Sequence, residues 1–177
     1  MNLNNKSAEK KEGYESFPLY IVFLASVVTI LIYGLGFYIL IGISIWIGIL
    51  YLLYCLRIEF MILKRSCVNC YYYDKFCGLG KGKLAPLFFK KGDPKKFAQR
   101  ELAWYTLIPD FMVNIFPIAG GIILLARDFS WSLLAIFTIF IIISFGGTAV
   151  IRGQFACKYC KQKEIGCPAA EMFEKKK

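Results

Sequence analysis

The sequence predicts an all-α integral membrane protein: four transmembrane helices built as two tandem helical-hairpin repeats, each followed by a cytoplasmic C-x2-C-x6-C module. Three observations predict it. From Ser16 to Leu56 there is no Asp, Glu, Lys or Arg. A second pair of apolar stretches, Thr106–Ala126 and Phe129–Ile151, carries Asp110 as its only charge. Finally, Cys67, Cys70 and Cys77 recur as Cys157, Cys160 and Cys167, each ninety positions on (157 − 67 = 90). A hydrophobic content of 58% excludes an ordinary soluble domain.

Residues 1–16 mix Lys6, Lys10 and Lys11 with Glu9, Glu12 and Glu15 and read as a polar, mobile tail. The apolar run that follows is too long for the short core of a cleaved signal, so it reads as an anchor. Its 41 residues (16 to 56) would make a helix of roughly 60 Å, about two crossings of a ~30 Å hydrocarbon layer. Gly34 and Gly36, near the middle, are the natural place to reverse direction. The first repeat, residues 17–80, then places helices at 17–35 and 37–57 and the first cysteine module at 67–77. Cys55 falls inside the second helix and reads as a small buried apolar residue.

Residues 81–105 form a basic interfacial loop. Asp93-Pro94 is a helix-start signal, with Asp as cap and Pro at the first helical position. Phe97, Ala98, Leu102, Trp104 and Tyr105 alternate with Lys95, Lys96, Gln99, Arg100 and Glu101, the pattern of an amphipathic helix in the headgroup layer. Leu84–Phe89 is placed at the same depth. Gly78-Leu-Gly-Lys-Gly-Lys83 lacks the spacing of a phosphate loop and reads as a flexible turn.

The second repeat, residues 106–168, has helices at 106–126 and 130–151, a turn at Arg127–Ser130, and the second module at 157–167. A basic tail, 169–177, ends the chain. Sliding the chain by ninety residues lays the first hairpin on the second. Both hairpins cross twice, so the halves share one orientation and are related by a pseudo-twofold axis along the membrane normal, as in some transporters.

Lysine and arginine decide the orientation. Eleven lie in residues 57–105, seven in 152–177 and three in the leader, leaving only Arg127 for the other side. The expectation is a multi-pass protein of the cell membrane with cytoplasmic N- and C-termini. The net charge of +10 then sits beside anionic lipid headgroups, the partner expected for the basic loop. Positive-inside bias accounts for that charge and requires no nucleic acid.

All six clustered cysteines would face a reducing compartment, where C-x2-C pairs bind metal or do redox chemistry rather than form stable disulfides. Thiolates suit soft or borderline cations, and the chain has no histidine to share the ligation. Six sulfurs can hold two zinc ions if two of them bridge. The spacing, about eleven residues per half, resembles the binuclear Zn2Cys6 clusters of fungal transcription factors; the resemblance implies a shared geometry. Cys167-Pro168 resembles the Cys-Pro ending of ferredoxin motifs, which implies an iron–sulfur cluster as the alternative cofactor. Thiol–disulfide exchange is a third reading, without the usual βαβ setting. Two zinc ions and six thiolates would carry a net charge of about −2 (−6 + 4), which Lys75, Lys81, Lys158, Lys161 and Lys163 are placed in sequence to offset.

Within the third helix, Asp110 and Asn114 are the intramembrane polar candidates. Asp110 reads first as an interfacial, helix-start carboxylate beside Pro109. Gly120, Gly121, Gly146 and Gly147 are candidates for close helix contact. No serine, histidine or carboxylate constellation supports catalysis. The expected role is a non-enzymatic, zinc-binding accessory or scaffold subunit of a membrane complex. An iron–sulfur electron-transfer subunit and a soft-metal transporter or sensor are the alternatives.

Overall fold

The computed structural model describes residues 13–99 and 104–168, and the side chains of 104–106 are outside it. The expectations for residues 1–12, for Arg100 to Ala103 and for the basic tail lie outside the described residues.

The described chain is helical. Four helices are long and apolar enough to cross a membrane: Leu19–Ile41, Ile45–Asn69, Leu107–Arg127 and Trp131–Tyr159. Between 17% and 28% of their most apolar windows is buried inside the protein. The remaining Leu, Ile, Phe and Trp side chains, such as Phe23, Trp46, Leu50 and Trp131, therefore need lipid rather than water around them. This is a multi-pass helical membrane protein.

Helix α1 (Leu19–Ile41) runs without a break through Gly34 and Gly36 and turns only at Gly42–Ser44. The expected reversal at Gly34–Gly36 is thus corrected, and a packing requirement explains why. A Cβ at Gly36 would stand 2.5 Å from Tyr51 Oη and 2.8 Å from Pro117 Cγ. Gly36 is needed where three helices approach, not where one ends. Helix α2 (Ile45–Arg65) continues eight residues beyond the expected end at Arg57 (65 − 57), taking Glu59 into the helix. Lys64 and Arg65 close its last turn, where cations complement the carbonyl end of the dipole.

Short helices α3 (Ala85–Phe88) and α4 (Pro94–Ala98) shape the loop. The Asp93 carboxylate accepts the Lys95 N–H at 2.9 Å, as its cap position requires. Of the expected amphipathic helix, the described residues form this single turn and, at Trp104 and Tyr105, the start of the next long helix. Phe60 of α2 packs on the Phe88 and Phe89 rings (centroids 5.9 and 5.0 Å), and Leu87 stays exposed.

Helix α5 (Trp104–Arg127) contains Pro109 and Pro117. Pro117 has no N–H for the carbonyl four residues back, that of Val113. Tyr51 supplies the missing donor: its hydroxyl donates to Val113 O at 3.0 Å. Tyr51 and Val113 belong to one buried cluster with Leu40, Cys55 and Ile58, where Cys55 is the small apolar residue expected. Gly120 and Gly121 admit Leu40 and Phe137, as close-contact glycines should, whereas a Cβ at Gly146 would meet nothing within 4 Å.

The turn falls at Asp128–Ser130, within the stretch the sequence points to, and α6 (Trp131–Ile141) begins the fourth span. The span continues as π-helix at Ile142–Gly147, a short α7 (Thr148–Val150) and π-helix again at Ile151–Ala156. From Ser44 to Cys67 is 23 positions (67 − 44), and from Ser130 to Cys157 is 27 (157 − 130). The ninety-residue shift therefore holds at the cysteines but not at the turns, where the offset is 86 (130 − 44). Widened π turns let the longer fourth helix absorb extra residues without adding whole turns. Within the second module lies α8 (Gln162–Ile165).

Both cysteine modules and residues 13–17 lie at one end of the bundle, joined by Phe17 N–H to Phe76 O (2.8 Å) and Tyr14 N–H to Tyr159 O (2.9 Å). The two helix-reversing turns lie at the other, where Gly42 meets Leu124.

Candidate thiol site

Each C-x2-C motif forms the same local structure. Cys67–Asn69 and Cys157–Tyr159 are single 3-10 turns continuing the second and fourth spans. They close by Cys70 N–H to Cys67 O (3.3 Å) and Cys160 N–H to Cys157 O (3.4 Å). The next contact also repeats: Tyr73 N–H to Cys70 O and Lys163 N–H to Cys160 O, both 3.1 Å. A C-x2-C turn of this kind can present two sulfurs to one ion.

The modules pack against each other through a reciprocal pair of hydrogen bonds. Tyr71 N–H donates to Gln162 Oε1 at 2.7 Å, and Lys161 N–H donates to Tyr72 Oη at 2.9 Å. Tyr71 and Lys161 are ninety positions apart, as are Tyr72 and Gln162. Each module thus offers the same backbone donor to the same acceptor position of the other. Tyr72 and Gln162 are both fully buried. Tyr72 also donates to Tyr14 O (2.6 Å), and Gln162 Nε2 donates to Gly166 O (3.0 Å).

Residues 13–16, expected as part of a mobile tail, are instead held between the modules, with Phe17 beside them. Tyr14 sits 5.1 Å from the Tyr159 ring and 5.5 Å from that of Phe17, and Lys161 Nζ meets Glu15 at 2.9 Å. The hydrogen bond that this ammonium donates, together with its charge, holds the Glu15 carboxyl below its ordinary value. The glycine run is not a loose turn either. A Cβ at Gly78 would lie 2.7 Å from Ala156 Cβ in the fourth span, and one at Gly82 would overlap the carbonyls of Tyr72 and Lys75.

All seven cysteines are free thiols. Backbone N–H groups point at three of the clustered sulfurs. Lys81 and Gly82 donate to Cys77 Sγ, each at 3.2 Å. Burial, with the Cys77 and Cys167 thiols beside it, pushes Cys70 up to about 11, against the N–H groups of Tyr72 and Tyr71. Burial, then the Cys70 and Cys157 thiols, pushes Cys160 up to about 12, against the N–H groups of Gln162 and Lys163. Thiols of both modules therefore act on one another. A cation among them would reverse the balance by favouring thiolate. Among the described residues, however, no three Cys, Asp or Glu side chains are drawn together closely enough to hold a metal ion as they stand.

The lysines are largely committed elsewhere. Lys75 lies over the Tyr71 ring (4.3 Å), Lys158 near the Tyr159 ring (5.6 Å), and Lys161 on Glu15. Lys81 is the case the sequence concealed. Its ammonium binds both oxygens of Glu59, at 2.8 and 2.7 Å, and Tyr33 donates to the same carboxylate. This ion pair ties the Cys77 loop to α1 and α2.

Asp110 is not a helix-start residue; it stands six positions inside α5 (110 − 104). With Asn114 it lines a half-open cavity between the spans rather than the cysteine face. Asn114 Oδ1 is buried without a hydrogen-bond partner.

No family model matches the chain, and no curated protein or solved structure is significantly similar to it.

Proposed function

We propose that the chain is a metal-thiolate membrane protein. Cys67, Cys70, Cys77, Cys157, Cys160 and Cys167 share one site, most simply two zinc ions, and the site pins the two hairpins together as repeats around a pseudo-twofold axis. The observation that carries this reading is the reciprocal Tyr71–Gln162 and Lys161–Tyr72 pair. Such an exchange of equivalent contacts is what a twofold axis between the modules produces. It brings Cys70 and Cys160 to the same region.

The donor set fits a soft or borderline cation. Peptide N–H groups aimed at sulfur stabilise thiolate over thiol, and thiolate is the form that binds metal. Loading would draw the sulfurs inward by rotation of the cysteine side chains. The charge placement supports a cytoplasmic site at the cell membrane, with anionic headgroups around Lys90, Lys91, Lys95 and Lys96. The role proposed is that of an accessory or scaffold subunit of a membrane complex.

Elemental analysis of the protein purified in reducing buffer tests this. The reading expects about two zinc per chain, bound to sulfur, and a colourless protein. Iron with visible absorption would replace it with the electron-transfer reading, and absence of any bound metal would overturn both.

A further inference from the structure

The geometry points to a bound phospholipid: one anionic lipid seated at the corner of α2 and α3, its phosphate held by Arg57 and Lys64. Leu50, Leu53, Arg57, Phe60 and Lys64 follow one another at steps of three and four residues, so they share one face of α2. All five are exposed. Leu50, Leu53 and Phe60, exposed on a span apolar enough to cross the membrane, face lipid. Arg57 therefore faces lipid too. It precedes Lys64 by seven residues (64 − 57), which sets it about 10 Å deeper along the helix. An arginine at such a place is costly unless an anion meets it.

Among the described residues, no acid meets it: Arg57 forms no ion pair. Glu59 is held by Lys81, Asp74 by Lys83, and Asp93 accepts the Lys95 N–H. Asp110 of α5 acts on the same Tyr54 hydroxyl as Arg57, but it is engaged in an interaction of its own. The corner is instead rich in cations. Phe60 packs on the rings of Phe88 and Phe89, and Lys90 and Lys91, both exposed, follow directly. With Lys64 and Arg57 they make four positive charges, none in an ion pair among the described residues. Beside them Leu87 and Phe88 stay exposed, an apolar shelf next to the charge. A ligand that answers both carries a phosphate and a hydrocarbon chain in one molecule, and the bilayer supplies it. Guanidinium suits a phosphate through two parallel N–H donors. A surplus of cations favours an anionic headgroup over a zwitterionic one, which brings its own positive charge.

This site turns the diffuse headgroup contact proposed above into one occupied position; it rests on that part of the reading and not on the thiols binding metal. The test titrates the full-length protein, in a non-ionic detergent, with dioleoylphosphatidylglycerol or dioleoylphosphatidylcholine and counts bound lipids by native mass spectrometry. A micelle has no leaflets, so the orientation of the chain does not enter. The expected result is a first phosphatidylglycerol bound about tenfold or more tightly than either a second one or phosphatidylcholine. Arg57→Gln should weaken that first step by about tenfold. Lys158→Gln removes the same charge from an exposed site on the other module and should change it by less than about twofold, because screening limits the reach of an exposed charge. Should Arg57→Gln fail to fold, Lys64→Gln, nearer the headgroups, carries the same comparison. Equal binding of the two lipids by the wild-type protein would mean that no headgroup is selected. Equal weakening by Arg57→Gln and Lys158→Gln would leave only diffuse attraction. Displacement of the lipid by an equal concentration of glycerol 3-phosphate would make the ligand a soluble phosphate ester. Each of these three results overturns the inference.

Discussion

The joint at Gly36, Tyr51 and Pro117 makes a prediction whose size follows from one hydrogen bond. Pro117 leaves Val113 O without its helical donor, and Tyr51 Oη fills that place at 3.0 Å in a buried setting. Tyr51→Phe keeps the ring and removes the donor, stranding a buried carbonyl at a cost of about 1–3 kcal/mol. Pro117→Ala restores an N–H that can reach Val113 O along the helix, but it also opens a void beside Gly36. The single effects therefore mix several causes, and a double-mutant cycle separates them. Tyr51→Phe should cost clearly less in the Pro117→Ala background than in the native one, by a coupling of roughly 0.5–2 kcal/mol. Equilibrium unfolding from mixed micelles, followed by far-UV circular dichroism, measures all four proteins. Strictly additive effects would refute the claim that Tyr51 substitutes for the donor Pro117 lacks.

Other perturbations follow from the same contacts. Gly36→Val would place carbon against Tyr51 Oη and the Pro117 ring, and should cost about 1–3 kcal/mol or more by overpacking, read as a lower unfolding midpoint. Lys81→Met strands the Glu59 carboxylate, whose side chain is only 22% exposed. It should cost less than the ~3–5 kcal/mol of a fully buried broken pair, and adding Glu59→Gln should recover part of the loss. Gln162→Leu and Tyr72→Phe each remove half of the reciprocal module contact. Both should accelerate limited proteolysis between residues 66 and 84; unchanged cleavage in both would show that the contact does not hold the modules together.

Much of this architecture is legible in the sequence because lipid imposes a simple rule: long stretches without charge must be helices. That rule placed all four spans and the Arg127–Ser130 turn. It failed where charge and position part company. Arg57 looked like the end of a helix, yet Phe60-Met-Ile-Leu63 continues the apolar pattern and Glu59 is satisfied by Lys81 from twenty-two residues away. That resumed apolar run was the available signal; the pairing with Tyr33 and Lys81 has none. Gly36 misled for a related reason. A glycine that permits a turn and one that permits a close approach look identical until the facing residues, Tyr51 and Pro117, are known. In the thiol site the cysteine spacing was legible. Tyr72 and Gln162, which join the modules, were not, because nothing in a tyrosine or glutamine announces its partner. Tyr14 and Phe17 were hidden in the same way, at the edge of a polar leader.

The most direct test of a shared thiol site is metal stoichiometry after disabling one module alone. In the protein with Cys67, Cys70 and Cys77 all changed to Ser, a site built from both modules should lose essentially all bound metal. The same should hold for the corresponding change at Cys157, Cys160 and Cys167. Retention of half the metal in each variant would mean that the modules bind independently, and would contradict the account.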